Sequence, residues 1–155
     1  MGKFNNLLSL AGFILIICVV ALIVRTCANE PSISPERFTS TLVMMRADMN
    51  AALAVGGVKI AFDNNRKTQI NRVSISASIR GDTWNINLQN EYVRTLSQRG
   101  WRVIDDSNAP ILMCKNGALA TIARDTARRG IHSGDGYITM SLSPATIMQC
   151  DHAAH

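Results

Sequence analysis

Residues 7–24 form an uninterrupted run of 18 residues without a charged side chain or a proline. A helix of that length rises about 27 Å, close to the ~30 Å thickness of the hydrocarbon core of a bilayer. A helix in the core of a soluble domain would show a polar face, whereas this run contains Ser9 as its one clearly polar residue. The run therefore predicts a retained transmembrane helix, preceded by a tail at residues 1–6.

A cleaved signal sequence is the main alternative for this segment. Thr26, Cys27 and Ala28 resemble the small residues that precede a signal peptidase site. The apolar run is, however, longer than the ~7–15 residues usual in a signal peptide, and Lys3 is the only charged side chain before it. A lipoprotein site at Cys27 is weaker, because Arg25 and Thr26 occupy positions where such sites have small apolar residues.

The cysteines decide the expected orientation of the predicted span. Positive charges on its two sides are nearly balanced, so the positive-inside rule does not settle the matter. Cys114 and Cys150 form an even pair after the span, and such a pair suits an oxidising compartment. We therefore expect residues 1–6 in the cytosol of a bacterium, the span in its inner membrane, and the remainder in the periplasm.

The rest of the chain is long enough for one domain of ordinary size. The segment CANEPSISPE contains two prolines among polar residues, and residues 25–34 are interpreted as a linker. Hydrophobic residues in 35–155 then alternate between helical and strand spacing, in the order helix, strands, helix, strands. This order predicts an extracytoplasmic α+β domain with a mainly antiparallel sheet and two helices.

The first soluble helix is predicted over residues 35–55. Ser34 is a suitable N-cap, Pro35 suits the first helical position, and Gly56 and Gly57 supply a stop. The apolar stripe of this helix has two interpretations. Either it covers the sheet of its own domain, or it packs against a second copy or a partner subunit.

Alternation of apolar and polar residues predicts strands at 58–62, 73–80 and 84–88. The last of these is interpreted as the second strand of a hairpin, followed by a second helix that ends at Gly100. The segment ATIMQC near the carboxyl end is either a final strand or a single helical turn. Four further strands are predicted in the segments WRVID, ILMCK, ALATIA and GYITMSL, of which the second and third are joined by Asn116–Gly117 as a type I′ turn.

Cys114 and Cys150 are predicted to form a disulfide bond. The bond would close a loop of about 36 residues, which stabilises a fold by roughly 3–4 kcal/mol in the chain-entropy account. It would also hold the carboxyl end of the chain in place. The alternative is a pair of buried free thiols, and the spacing of the two cysteines does not match a zinc site. The sequence predicts neither a metal nor a cofactor.

Two basic segments are candidates for contact with a partner. The first spans residues 58–80 and the second is a long loop at 124–136. Long loops in compact domains are usually functional or disordered, and the alternative for both segments is a solvated face. The candidate partner-binding residues are Arg66, Lys67, Arg72, Arg124, Arg128 and Arg129.

Enzymatic chemistry has little support in the sequence. His132, Ser133 and Asp135 are crowded into one glycine-rich segment, whereas the members of a catalytic triad converge from separate rigid elements. Asp105 and Asp106 end a predicted strand and offer no acid–base pair. After residue 28 the chain has 14 Lys and Arg against 11 Asp and Glu, a mild excess that does not predict binding to nucleic acid.

These features predict a non-enzymatic, single-pass inner-membrane protein whose periplasmic domain binds partner proteins. The expected role is that of a structural or assembly subunit of an envelope machine, such as a secretion, pilus or conjugation apparatus. Expected partners are other membrane or periplasmic proteins, a second copy through the span and the first soluble helix, and the lipid bilayer. The alternative is a membrane-anchored immunity or inhibitor protein that neutralises a toxin or hydrolase in the periplasm.

Overall fold

The computed structural model describes residues 33–63, 72–107, 110–124 and 134–153. The predicted tail and span, and all of the linker before Ile33, lie outside the described residues, so the expectations about them stay predictions. Within the described residues, no helix combines the length and apolar character needed to cross a bilayer. Ile33–His155 forms one compact unit.

Three helices and six strands make up the described part of this unit. The strands form a single sheet in the order β1-β2-β6-β5-β4-β3, and every neighbouring pair is antiparallel. The predicted α+β class with an antiparallel sheet is confirmed, but the domain has three helices where the sequence predicted two. The elements are α1 (Pro35–Leu53), β1 (Lys59–Asp63), β2 (Val73–Ile79), α2 (Ile86–Gln98), β3 (Arg102–Asp105), β4 (Ile111–Lys115), β5 (Ala118–Arg124), β6 (Gly136–Leu142) and α3 (Pro144–His152).

The core lies between one face of the sheet and the helices α1 and α2. In β2 the apolar residues are buried while the serines between them are half-buried, which is the period-two pattern of a strand with one covered face. Met45 and Met49 of α1 and Tyr92 and Leu96 of α2 are fully buried in the same cluster. The apolar stripe of α1 thus packs on the sheet of its own domain, as in the first of the two interpretations.

Helix α1 begins where its sequence signals indicate and ends two residues before the predicted end. The hydroxyl of Ser34 accepts a hydrogen bond from the backbone N–H of Arg37 at 3.2 Å, and Pro35 occupies the first helical position. After the helix ends at Leu53, Gly57 has a φ of 87°, a conformation that glycine adopts without strain. The predicted range of 35–55 therefore exceeds the observed helix by two residues.

The predicted strand at residues 84–88 is wrong, because helix α2 already begins at Ile86. The side chain of Asn85 accepts a hydrogen bond from the backbone N–H of Leu88 at 2.9 Å and caps this helix. Trp84 is buried, whereas the side chain of Ile86 is 64 % exposed, so the two do not share a covered face. An asparagine cap outweighs three residues of apolar alternation here.

The segment ATIMQC belongs to helix α3, so the alternative of a final strand is wrong and that of a single turn is too short. Ser143 and Thr146 form a reciprocal capping box, in which each side chain accepts a hydrogen bond from the other residue's backbone N–H, at 3.2 and 2.9 Å. Pro144 occupies the first helical position. These signals start a helix immediately after β6.

The predicted turn at Asn116–Gly117 is confirmed. Asn116 and Gly117 have φ values of 52° and 81°, and the flanking residues Lys115 and Ala118 pair across the hairpin. Positive φ at both central residues is the requirement of the type I′ turn, which matches the twist of the strands it joins.

Gly136 is predicted to be a position where a single methyl group disturbs the core. A Cβ atom there would lie 1.7 Å from Cε3 of Trp84, so the indole ring would have to move. We expect Gly136→Ala to lower the free energy of unfolding by about 2 kcal/mol, as overpacking does. Urea unfolding followed by circular dichroism measures this. In a double-mutant cycle with Trp84→Ala the two costs should not add, and simple additivity would contradict the contact.

Candidate functional site

Asp48 is the one charged side chain that is fully buried among the described residues. Its Oδ1 accepts a hydrogen bond from Nε of Arg99 at 2.5 Å, and its Oδ2 accepts from Nε1 of Trp101 and from Nζ of Lys115, each at 2.8 Å. Lys115 also donates to the backbone carbonyl of Arg99 at 2.6 Å. We call Asp48, Arg99, Trp101 and Lys115 the buried ion network. It joins α1 to the residue that follows α2, the residue that precedes β3 and the last residue of β4.

The network keeps the Asp48 carboxyl ionised. Burial by itself would raise the pKa of Asp48, but hydrogen bonds from Lys115, Trp101 and Arg99, together with the charge of Lys115, outweigh burial and lower the pKa below its usual value. Both carboxylate oxygens already accept charged or indole donors. The group therefore acts as a fixed anion that holds Lys115 and Arg99 in position.

A surface pocket of about 490 Å³ lies beside this network and next to the disulfide. Its charged lining residues are Arg37, Arg102, Lys115 and Asp151. Nη2 of Arg37 donates a hydrogen bond at 3.2 Å to the backbone carbonyl of Asn116, in the turn between β4 and β5. Among the described residues, neither Arg102 nor Asp151 forms an ion pair. We call this cavity the basic pocket.

The predicted disulfide between Cys114 and Cys150 is confirmed, with a Cα–Cα distance of 5.6 Å. Cys114 alternates along β4 with the fully buried Met113, so it lies on the face of the sheet opposite the core. The bond therefore fastens α3 to that second face. Both cysteines line the basic pocket and are themselves 5 % exposed.

The partner-binding residues suggested by the sequence are only partly within the described structure. Arg66, Lys67, Arg128 and Arg129 lie outside the described residues. Arg72 and Arg124 are both exposed. Arg72 directly precedes Val73, the first residue of β2, which pairs with Leu142 at one end of β6. Arg124 pairs with Gly136 at the other end of β6. At about 3.3 Å per residue the two arginines are roughly 20 Å apart, so they do not form one cluster.

The residues weighed for catalysis are only partly within the described structure. His132 and Ser133 lie outside the described residues, and Asp135 accepts a hydrogen bond from the backbone N–H of Gly81 at 2.8 Å. Asp105 is exposed, and hydrogen bonds from the side chain and backbone of Ser107 lower its pKa. In the parts of the chain that the structure describes, no three His, Cys, Asp or Glu side chains are placed to hold a metal ion.

A second cavity, of about 520 Å³, lies between α2 and the strands β3 and β4, the two outermost strands on one side of the sheet. Ile86, Val93, Val103 and Ile111 give it apolar walls, and Asp106 is the one charged residue that lines it among the described residues. Strand β3 ends the sheet, so its outer backbone groups have no neighbouring strand among the described residues. We call this cavity the edge groove.

The sequence interpretation missed both the buried ion network and the basic pocket. One signal for the network was present, because Asp48 interrupts the apolar stripe of α1 directly before Met49 and three residues after Met45. An acid inside a buried stripe requires cationic or hydrogen-bonding partners. The identity of those partners depends on strand pairing and could not be read from the sequence.

No family model, no curated protein and no solved structure matches this chain.

Proposed function

We propose that this chain is a non-enzymatic, single-pass protein of a bacterial inner membrane, whose domain binds partner proteins in the periplasm. Its role is that of a structural or assembly subunit of an envelope machine such as a secretion, pilus or conjugation apparatus. The observation that carries the proposal is the Cys114–Cys150 disulfide in a domain that follows an 18-residue apolar run. Disulfides persist in oxidising compartments, and such a run keeps a protein attached to the membrane.

The edge groove is the partner-binding surface in this proposal. An extended segment of a partner can add to a sheet as a further strand next to β3, since this mode of recognition uses the free backbone groups of an edge. Ile86 and Val93 of α2 supply apolar contacts alongside that strand. Because Asp106 contributes a negative charge to the lining of the groove, the partner strand is expected to carry a Lys or Arg at that end.

A pull-down in mild detergent tests the proposed role. The tagged full-length protein is recovered from its native membrane beside a form in which residues 1–28 are replaced by a cleavable signal sequence. We expect several envelope proteins to be retained by the full-length form and lost from the released form, because assembly requires attachment at the membrane. One soluble toxin or hydrolase captured equally by both forms would overturn the proposal and favour the inhibitor role.

The contribution of the edge groove has its own prediction. The substitution Ile86→Asp places a charge on a side chain that is 64 % exposed, so the fold should tolerate it. If the partner strand packs there, recovery of the envelope proteins should fall at least about tenfold, as expected for an apolar residue central to an interface.

The matched control is Val43→Asp, which changes an apolar residue of α1 that is 62 % exposed and does not line the groove. Its pull-down should equal that of the unaltered protein, and the thermal midpoints of all three should agree within a few degrees. Equal recovery with Ile86→Asp and Val43→Asp would exclude the edge groove as the contact surface.

A further inference from the structure

We infer that the basic pocket binds the phosphate group of an anionic phospholipid at the membrane surface. The inference rests on the proposed membrane anchoring and adds a ligand that the partner-binding role does not require. Three features of the described structure carry it: the charge of the pocket, the fixed positions of its donors, and its location beside the residue where the chain enters the domain.

The charge of the pocket favours an anion. Among the described residues, three cationic residues from three separate elements line it, Arg37 from α1, Arg102 from β3 and Lys115 from β4, against one acid, Asp151. Lys115 shares the Asp48 carboxylate with Arg99, so the buried ion network leaves one positive charge in excess. The phosphodiester of a phospholipid carries one negative charge and would balance this surplus.

Two of the three cations are already held in place. Arg37 is positioned by its hydrogen bond to the carbonyl of Asn116, and its guanidinium lies close to Gly117, where a Cβ would be 2.9 Å from Nη2. Lys115 is fixed by Asp48 and by the carbonyl of Arg99. Donors held in position lose less side-chain entropy on binding, and arginine N–H groups match the oxygens of a phosphate.

Arg102 supplies the exposed donor. It pairs with Cys114 in the β3–β4 register, so its side chain leaves the sheet on the same face as the disulfide. It forms no ion pair among the described residues. Its guanidinium is therefore available to a ligand in the pocket.

The pocket lies beside the residue where the chain enters the domain. Ile33 is buried at 8 % exposure, Ser34 caps α1, and Arg37 is in the first turn of that helix. Eight residues, 25–32, lie between position 24, the end of the predicted span, and Ile33, and an extended chain over that distance reaches at most about 30 Å. The tether thus keeps the pocket within reach of the headgroup layer, where phosphates are concentrated.

The test measures the thermal unfolding of the full-length protein in lipid nanodiscs. Phosphatidylglycerol is compared with phosphatidylcholine, and the fluorescence of the buried Trp84 and Trp101 reports unfolding. We expect phosphatidylglycerol to raise the midpoint by about 4–6 °C, the shift for a ligand present at roughly ten times its dissociation constant. In Arg102→Gln and in Arg37→Gln/Arg102→Gln the shift should fall to less than half.

The matched control is Arg94→Gln, which removes an exposed arginine of α2 that pairs, among the described residues, with Glu91 on the same helix. It should keep the full shift. The absence of a shift in the unaltered protein would overturn the inference. An equal shift in Arg102→Gln and Arg94→Gln would also overturn it, because a general effect of surface charge would then account for the shift.

Two further outcomes would also overturn it by identifying another ligand. In the first, inorganic phosphate at constant ionic strength raises the midpoint in detergent while phosphatidylglycerol adds nothing in nanodiscs, which indicates a site for a soluble anion. In the second, Arg102→Gln removes proteins from the pull-down without changing the lipid effect, which indicates an acidic protein partner.

Extraction of native membranes with alkaline carbonate separates failure of this inference from failure of the proposed function. A chain that stays in the membrane but shows no preference for phosphatidylglycerol would refute the lipid site alone. A chain that is released by carbonate would refute the anchoring and, with it, the lipid site.

Discussion

Replacing Asp48 with Asn is expected to lower the free energy of unfolding by about 3 kcal/mol. The amide keeps the shape of the carboxyl group but removes its charge, so Arg99 and Lys115 lose their shared counter-ion. Lys115 is 19 % exposed and cannot become fully hydrated without moving. Removing one partner of a buried ion pair typically costs about 3–5 kcal/mol of stability. Because Arg99 is 40 % exposed, the cost here is expected at the lower end of that range.

Urea unfolding of the full-length protein in detergent measures this change. The control is Asp82→Asn, which removes a carboxyl that is 63 % exposed and pairs with Arg80 on the surface. It should leave the unfolding midpoint unchanged, because exposed ion pairs contribute little. An Asp48→Asn protein as stable as the control would mean that the network does not contribute to the fold.

The same network gives a pH dependence of defined sign. The pKa of Asp48 is lower in the folded protein than its ordinary value of 3.8, so folding favours the ionised form. The stabilisation is fully present above pH 3.8 and is lost as the pH falls through the lower, folded-state pKa. The difference in stability between the unaltered protein and Asp48→Asn should therefore be constant near neutrality and shrink below about pH 4.

Local signals were sufficient to predict most of the elements of the fold. Ser34 with Pro35 located the start of α1, and Asn116–Gly117 located a hairpin, because in each case the side chains satisfy a requirement of the backbone within a few residues. The strand predicted at residues 84–88 failed for a related reason. The cap by Asn85 competes with apolar alternation, and three alternating residues are too few to decide between them.

The arrangement of the candidate site could not be predicted in this way. Arg102 lies opposite Cys114 because β3 pairs with β4, and Lys115 reaches Asp48 because α1 crosses the face of the sheet that carries Met113. These neighbours are set by strand order and by which face the helices cover. The alternation of apolar and polar residues in a single sequence shows which residues share a face of a strand. It does not show which strands pair with each other.

The disulfide carries the other large expected effect. Replacing both Cys114 and Cys150 with Ala should lower the free energy of unfolding by about 4 kcal/mol, since the bond closes a loop over a sequence separation of 36 residues. Urea unfolding with and without a thiol reductant measures the change. Reductant should destabilise the unaltered protein by a similar amount and have no effect on the double variant, and any residual effect there would point to another oxidised group.

The loss of stability in the double variant is expected to concentrate in α3 rather than to spread evenly over the domain. The bond joins α3 to β4, and α3 otherwise contributes only Ile147 to the buried cluster, whereas the apolar residues of β2 and β6 form much of that cluster. In the double variant, amide hydrogen exchange should therefore accelerate in α3 while β2 and β6 remain protected. Uniform acceleration across α3, β2 and β6 would contradict this, because it would mean that the helix and the sheet open only together.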